Sequence, residues 1–203
     1  MRFVHFLLAA ALAVPALAAA DPAFSQAQAV FLKAADGNSA AVEEAVRQFT
    51  RLAAVESDQA PLLLAYLGAA QTMQGRDAWL PWEKVRATER GLAVLDKALR
   101  SLEARHDTEI FNGTAISLET RLVAANTFLS LPSLFNRFDA GKQALREAFA
   151  HPGWAAAPGE VRARLHRLAA QVAAHDGKRS EEREHLKQAA DLAQAAPTGA
   201  TAG

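Results

Sequence analysis

The chain has 203 residues, of which 51% are hydrophobic and 7% aromatic, which is enough to bury the core of one domain. Its 22 basic and 22 acidic residues balance, and because there is no basic run we expect no nucleic-acid partner. It contains no cysteine, which excludes disulfides, thiolate metal ligands, a cysteine nucleophile and the lipid-modified cysteine of bacterial lipoproteins.

Residues 1–20 have the pattern of a secretory signal peptide. Arg2 supplies the positive start, residues 3–14 are apolar apart from one histidine, and Ala18 and Ala20 are the small residues of a cleavage site. A membrane anchor needs about 18 or more apolar residues, and this stretch is shorter. We therefore predict a cleaved leader and an exported protein.

Cleavage is predicted before Asp21, with cleavage after Ala18 as the alternative. Loss of the leader removes one of the 22 basic residues, so the mature chain carries a formal charge of −1. We expect it in the periplasm, with secretion as the alternative, and without a further membrane span. The mature chain is predicted to form a single all-α domain over residues 21–196, followed by a disordered tail, 197–203.

Apolar residues recur every three to four positions along the mature chain, which is typical of amphipathic helices. Asp21 followed by Pro22 predicts the start of the first helix, and Gly37-Asn38 predicts its end. Ser39 is the expected cap of the second helix. Further breaks divide the rest in the same way, so we predict about eight helices and no sheet. The later predicted helices cover 61–74, 82–104, 118–131, 139–150, a segment from 158, and 180–195.

Three of the predicted boundaries matter for function. Gly75-Arg76-Asp77 is expected to end the third helix, and Pro81 to open the fourth. Residues 106–114 are expected to form a loop with Asn112-Gly113 as its turn. The fifth helix, capped by Ser117, is apolar on nearly every side, which predicts a central position.

The helices contain a recurring pattern. The segments 91–99 and 141–149 share a small residue, then leucine, alanine and an apolar residue at the same spacing, and Leu186 and Ala189 repeat part of it. A small residue lets two helices approach closely. Because these segments begin 50 residues apart rather than at the usual spacing of about 34, any repeat is degenerate.

A second pattern lies upstream. It resembles the first helix of a tetratricopeptide repeat in the spacing of Leu67, Gly68, Gln71 and Gly75. The resemblance implies stacked helical hairpins, a solenoid or right-handed superhelix, and a role as a scaffold or partner-binding module. Residues 75–86 lie outside the repeat and resemble a signature of a narrower bacterial family whose function is not known.

The segment 76–89 has the densest mixture of aromatic and charged residues in the chain. Tryptophan and arginine dominate binding hot spots, so we predict a surface here that binds a protein or peptide partner. Its residues are Arg76, Asp77, Trp79, Trp82, Lys84 and Arg86. In the alternative interpretation both indoles close the end of the helix stack, and Asp77 caps a turn.

Two polar residues of the fifth helix are further candidates. Arg121 and Asn126 are interpreted as lining a groove that holds a peptide, or alternatively as tying neighbouring helices together. A second functional hypothesis is a carrier of a small ligand, with a pocket between helices near Trp79 and Trp82. A weaker third hypothesis is a hydrolase acting on the cell wall.

No catalytic signature occurs, so we predict neither an enzyme nor a cofactor. No metal site is predicted either. His166 and His175 are nine residues apart on one helix, about 180° around its axis, and cannot share one ion.

Overall fold

The computed structural model describes residues 21–195. Within this range the chain forms eight α-helices, which confirms the predicted all-α class. The predicted leader and tail lie outside the described residues. The helices are α1 (Pro22–Ala35), α2 (Ser39–Ala53), α3 (Ala60–Asp77), α4 (Pro81–Arg100), α5 (Ile116–Ser130), α6 (Phe138–Phe149), α7 (Gly159–His175) and α8 (Arg179–Ala195).

Consecutive helices pack as four hairpins: α1 with α2, α3 with α4, α5 with α6, and α7 with α8. The first helices of these hairpins, α1, α3, α5 and α7, also contact one another in chain order. The hairpins therefore stack side by side, as in a helical-repeat architecture. Within residues 21–195, no helix combines the length and the apolar character that crossing a bilayer requires.

Local signals in the sequence explain where several helices begin and end. The Asp21 carboxylate accepts hydrogen bonds from the amides of Ala23 and Phe24 at 2.8 and 3.2 Å, so it caps α1 as predicted. Gly37 follows that helix with φ +99°, a conformation that glycine adopts without strain. Leu80 is extended because it precedes Pro81, and this separates α3 from α4.

The prediction that the chain contains no sheet is wrong at one place. Ile110–Phe111 (β1) and Thr114–Ala115 (β2) pair as a short antiparallel hairpin. Asn112 and Gly113 connect them with φ values of 48° and 81°, the positive values of a tight hairpin turn. The turn was recognisable from the sequence, but two-residue strands are too short to show alternation.

The predicted end of the third helix is also wrong. The helix continues through Gly75 to Asp77, and Gly75 is buried within it. A methyl group on Gly75 would lie 2.1 Å from the hydroxyl oxygen of Thr88 in α4. This glycine allows the two helices to approach closely, and it does not end a helix.

Two smaller boundary predictions are corrected in the same region. The fourth helix ends at Arg100 rather than near residue 104, and a 3-10 turn (Ala104–Asp107) follows it. Ser117 lies inside α5, whose N-cap is Ala115, so the Ser117 hydroxyl does not cap the helix.

The close approach of α3 and α4 depends on a second pair of glycines. An added Cβ at Gly68 would lie 2.7 Å from the Gly91 carbonyl oxygen, and one at Gly91 would lie 2.5 Å from that of Gly68. An added Cβ at Gly141 would likewise lie 2.7 Å from the Leu129 side chain. Small residues at the repeat positions therefore do allow close packing, as the sequence indicates.

The core has two parts that meet at α5. The first contains an aromatic group in which the Phe49 and Tyr66 rings stack, with centroids 5.0 Å apart. The second is aliphatic and includes Leu122 and Leu165. Helix α5 contributes Phe128 to the first part and Leu122 to the second, which confirms its predicted central position.

Replacing Gly91 with alanine is expected to destabilise the protein, although alanine is the better helix former by about 1 kcal/mol. The added methyl group would lie too close to the Gly68 carbonyl oxygen, 2.5 Å away. We expect the free energy of unfolding to fall by roughly 1–3 kcal/mol, the usual effect of overpacking. Urea unfolding followed by circular dichroism measures this change.

Ala93→Gly is the matched control, because residue 93 is an exposed position of the same helix. Its expected loss is roughly 0.5–1 kcal/mol, which reflects backbone entropy alone. A Gly91→Ala variant that is as stable as the parent protein would contradict the close approach.

Candidate functional site

A groove of about 640 Å³ lies between α3, α4, the end of α5 and the segment that follows it. Its walls are mostly apolar, and several of these side chains remain exposed to solvent. The apolar side chains lining it include Met73, Pro81, Val85, Leu131, Pro132, Leu134 and Phe135.

Two prolines build the walls of this groove. Pro81 opens α4 at its first helical position. Pro132 ends α5, because the preceding Leu131 must be extended, and a 3-10 turn (Ser133–Phe135) follows. This turn brings Leu134 and Phe135 to the groove opposite Val85 of α4.

The floor of the groove is the contact between α3 and α4. Gly75 and Thr88 line it, together with Thr72 and Thr127. The hydroxyls of Thr72 and Thr127 donate to carbonyl oxygens of their own helices, at 2.7 and 2.9 Å. These two hydroxyl protons are therefore already used within the protein.

The ionisable side chains that line the groove, Arg76 and Lys84, are both cationic. The Arg76 guanidinium donates to both carboxylate oxygens of Asp77, at 2.6 and 2.9 Å, and to the Ala34 carbonyl oxygen at 3.1 Å. The Lys84 ammonium donates to the Arg76 carbonyl oxygen at 3.0 Å. These bonds hold both cations at one end of the groove.

The ion pair shifts the pKa values of both Arg76 and Asp77. Hydrogen bonding to Arg76 holds the pKa of Asp77 below its ordinary value, and the same bond raises the pKa of Arg76. Both groups are therefore charged at neutral pH. Asp77 compensates part of the Arg76 charge. Among the described contacts, Lys84 is hydrogen-bonded to a carbonyl oxygen and to no carboxylate.

The structure separates the predicted partner-binding residues. Arg76 and Lys84 line the groove together with Asn126, which the sequence assigned to a different site. Asp77 and Arg86 line a separate, more polar depression of about 410 Å³ on the other side of α4. Four of the six residues predicted as one patch therefore line two different surfaces, and Trp79 and Trp82 line neither.

Both tryptophans of the predicted patch are exposed. Trp79 is 90% exposed and Trp82 is 60% exposed, so the alternative that they close the end of the helix stack is wrong. Neither indole lines the groove itself. Trp82 follows the lining residue Pro81 along α4, about 100° further around the helix axis, so its indole lies outside the groove lining.

Of the two residues predicted to line a groove, Asn126 and Arg121, only Asn126 lies at this groove. Asn126 is exposed and lines the groove. Arg121 does not line it. Its guanidinium lies 3.6 Å from Asp107 and 3.3 Å from Glu147, so for Arg121 the tying role is the correct interpretation.

Residues 131–135 contribute an apolar wall that the sequence did not predict. Residue 131 was expected only to end the fifth helix. The available signal was the pair Leu134-Phe135 after a helix-ending proline, because large apolar residues in a short connection usually pack against a neighbouring element.

The sequence also showed no sign of a cluster in which the buried Ser117 and His151 meet the partly exposed Asp107. The Ser117 hydroxyl donates to the Asp107 carboxylate at 2.6 Å and lies 2.8 Å from His151 Nε2. The Gly153 amide donates to His151 Nδ1 at 2.9 Å, so in the neutral ring the proton is on Nε2.

That tautomer decides what the cluster can do. Since Nε2 donates to the Ser117 oxygen, His151 cannot accept the serine proton as a general base would. Ser117 is 0% exposed, so no substrate reaches it. The cluster connects the 3-10 turn before β1, helix α5 and the loop after α6, and we interpret it as structural.

A second buried polar group connects the first helices of the four hairpins. The Gln28 amide donates to the Tyr66 hydroxyl at 2.7 Å, and that hydroxyl donates to Glu119 at 2.8 Å. Arg164 of α7 lies 3.4 Å from the same carboxylate oxygen. Burial raises the pKa of Tyr66, so its phenol stays protonated and keeps its donor.

Acid is expected to destabilise the protein below about pH 6.5, the ordinary pKa of histidine. Burial lowers the pKa of His151 in the folded state, so on acidification the unfolded chain binds a proton first. The stabilisation is thus complete above pH 6.5 and declines as pH falls. Urea unfolding between pH 7.5 and 5 measures the slope, which we expect to be shallower in His151→Gln.

His175→Gln is the control for this series, because the His175 side chain is 61% exposed. It should change the slope less than His151→Gln does. His166, whose pKa burial also lowers, accounts for part of the slope that remains in His151→Gln. Identical slopes in the parent protein and His151→Gln would contradict the assignment.

Comparisons with family models, curated proteins and solved structures find no match for this chain.

Proposed function

We propose that this protein is an exported helical-repeat scaffold that binds a peptide segment of a protein partner in the groove between α3, α4 and α5. The observation that carries the proposal is the apolar wall of the groove, which is left in solvent beside two cations. The signal-peptide pattern of residues 1–20 and the resemblance to tetratricopeptide repeats support export and a scaffold role.

The apolar character of the groove favours a partner. Leu134 is 69% exposed and Val85 is 38% exposed, and both line the same groove. Contiguous exposed apolar surface on a folded protein usually marks an interaction site. The neighbouring Trp82 adds aromatic surface of the kind that dominates binding hot spots.

The charge of the groove indicates the kind of peptide. With Arg76 and Lys84 at one end and apolar side chains along the walls, the best complement is a large apolar residue next to a carboxylate. That carboxylate is either an acidic side chain or the C-terminus of the peptide.

A small-ligand carrier is the second candidate, and the size of the groove favours it. Sites for small molecules usually measure about 300–1,000 Å³, and this groove of about 640 Å³ lies within that range. The same walls and cations would suit an amphipathic anion. The groove is open to solvent along its apolar wall, which favours a peptide over an enclosed ligand.

Selection from a random peptide library, followed by affinity measurement with the selected synthetic peptides, tests the proposal. We expect the selected peptides to share an apolar residue beside a carboxylate. Leu134→Glu should weaken their binding at least tenfold, about 1.4 kcal/mol, because it places a charge in the apolar wall. Calorimetry or fluorescence anisotropy gives the dissociation constants.

Ile110→Glu is the matched control, since Ile110 is 61% exposed and lies on β1, away from the groove. It should bind the selected peptides like the parent protein. Equal loss of binding in both variants, or in neither, would argue against the groove.

A second pair of variants tests the role of charge. Lys84→Glu should weaken peptide binding at least tenfold and invert the preference for carboxylates, because it reverses a charge at the groove. Arg86→Glu makes the same charge change two residues along α4, where the side chain lines the other depression, and should have little effect. A larger loss in Arg86→Glu would place the binding surface on that other side.

The small-ligand alternative predicts a different outcome. Native mass spectrometry of the protein isolated from its own compartment would then show a bound anion of low mass. Selected peptides would compete with that anion, and Leu134→Glu would release it.

A further inference from the structure

Two histidines face each other within the last hairpin, which α7 and α8 form. His166 lies on α7 and His185 on α8, and their Nδ1 atoms are 3.0 Å apart. Both rings are half-buried against Phe149, with ring centroids 5.2 and 6.2 Å from it. This packing holds the two nitrogens facing each other.

The spacing suits a shared metal ion. Nitrogen ligands lie about 2.0–2.1 Å from zinc, so two of them at a tetrahedral angle are about 3.3 Å apart. The observed separation is 3.0 Å, so a shift of a few tenths of an ångström is enough to admit an ion. In the absence of an ion one Nδ1 donates its proton to the other, so an ion that binds between the rings displaces that proton.

One carboxylate shares a depression with His185. Glu181 precedes His185 by one turn of α8, and the two line a depression of about 230 Å³ whose lining does not include His166. The Glu181 carboxylate now pairs with the Lys178 ammonium at 3.2 Å, and the two side chains are 56% and 54% exposed. Such exposed pairs contribute little free energy, so Glu181 can exchange partners easily.

We propose that His166 and His185 form a binding site for a late first-row transition metal ion, with Nδ1 of each ring as a ligand. Water completes the coordination, with Glu181 as a third protein ligand after a side-chain rotation. Within residues 21–195 no group of three or more histidine, cysteine or acidic side chains is placed to hold a metal ion, so this site starts from two protein ligands. Imidazole ligands favour Cu²⁺ most, then Zn²⁺, and give no affinity for Mg²⁺.

The sequence analysis missed this pair because it compared His166 with His175 on the same helix. Their separation on one helix excludes a shared ion, whereas His185 comes from the adjacent helix, 19 residues further along the chain. Packing of α7 against α8 brings the two rings together.

Trp154 provides a local readout, because its ring centroid lies 5.6 Å from that of His166. The test uses the full chain carrying Trp79→Phe and Trp82→Phe, two exposed positions, so that Trp154 is the only tryptophan left. Titration with Cu²⁺ at pH 7.5 should quench its fluorescence to saturation at one ion per chain. Chelation by EDTA should restore the signal, and Mg²⁺ should cause no change.

Two variants and a control localise the ion. His166→Gln and His185→Gln should each weaken the Cu²⁺ response at least tenfold, whereas His175→Gln should leave it unchanged, because the exposed His175 side chain lies outside the pair. Non-saturating quenching, or equal responses in all three variants, would overturn the proposal.

A second measurement covers the case in which a variant loses stability. Saturating Zn²⁺ should raise the Tm of the parent protein by at least about 2 °C, because it binds only the folded chain. The increase should be absent in His185→Gln. An unchanged Tm in the parent protein would also overturn the proposal.

Discussion

The close contact between α3 and α4 determines where the functional surfaces of this protein lie. At Gly68 and Gly91 each backbone packs against the other, and an added Cβ would lie within 2.7 Å of a carbonyl oxygen on either side. About two turns after Gly68 along α3, Gly75 lies directly against Thr88 of α4. Because backbone atoms of each helix, with the side chains of Thr72 and Leu95 beside them, occupy the space next to the glycines of the other helix, the crossing leaves no room for a larger residue there.

The groove follows from that contact. Gly75 and Thr88 form its floor, so any movement of α4 away from α3 changes the depth of the groove and the position of Lys84. The other apolar lining comes from the segment after α5, since Pro132 ends that helix and Leu134 follows it at the groove. Two prolines and a row of glycines thus shape an apolar surface that the core does not use.

The helices themselves were predictable because their signals are local. The cap at Asp21 and the break before Pro81 follow from bonding within a few residues. The groove was predictable only in part. Arg76, Lys84 and Asn126 could be singled out by residue type, but their meeting depends on how α3, α4 and α5 cross.

Contacts between distant segments explain the remaining errors. His166 with His185, and Ser117 with His151, come from different helices or loops, and periodicity along one helix carries no information about them. Gly75 was misread for the same reason. A glycine near a helix end resembles a stop signal until the neighbouring helix is seen to occupy the space of its missing side chain.

A double-mutant cycle of Gly68→Ala and Gly91→Ala tests the central contact most directly. Both methyl groups would enter the same interface, so one separation of α3 from α4 relieves both. We predict that the double variant loses less free energy of unfolding than the sum of the single variants, by at least about 0.5 kcal/mol. Losses that add to within about 0.3 kcal/mol would mean that the two glycines do not share an interface, and would contradict this account.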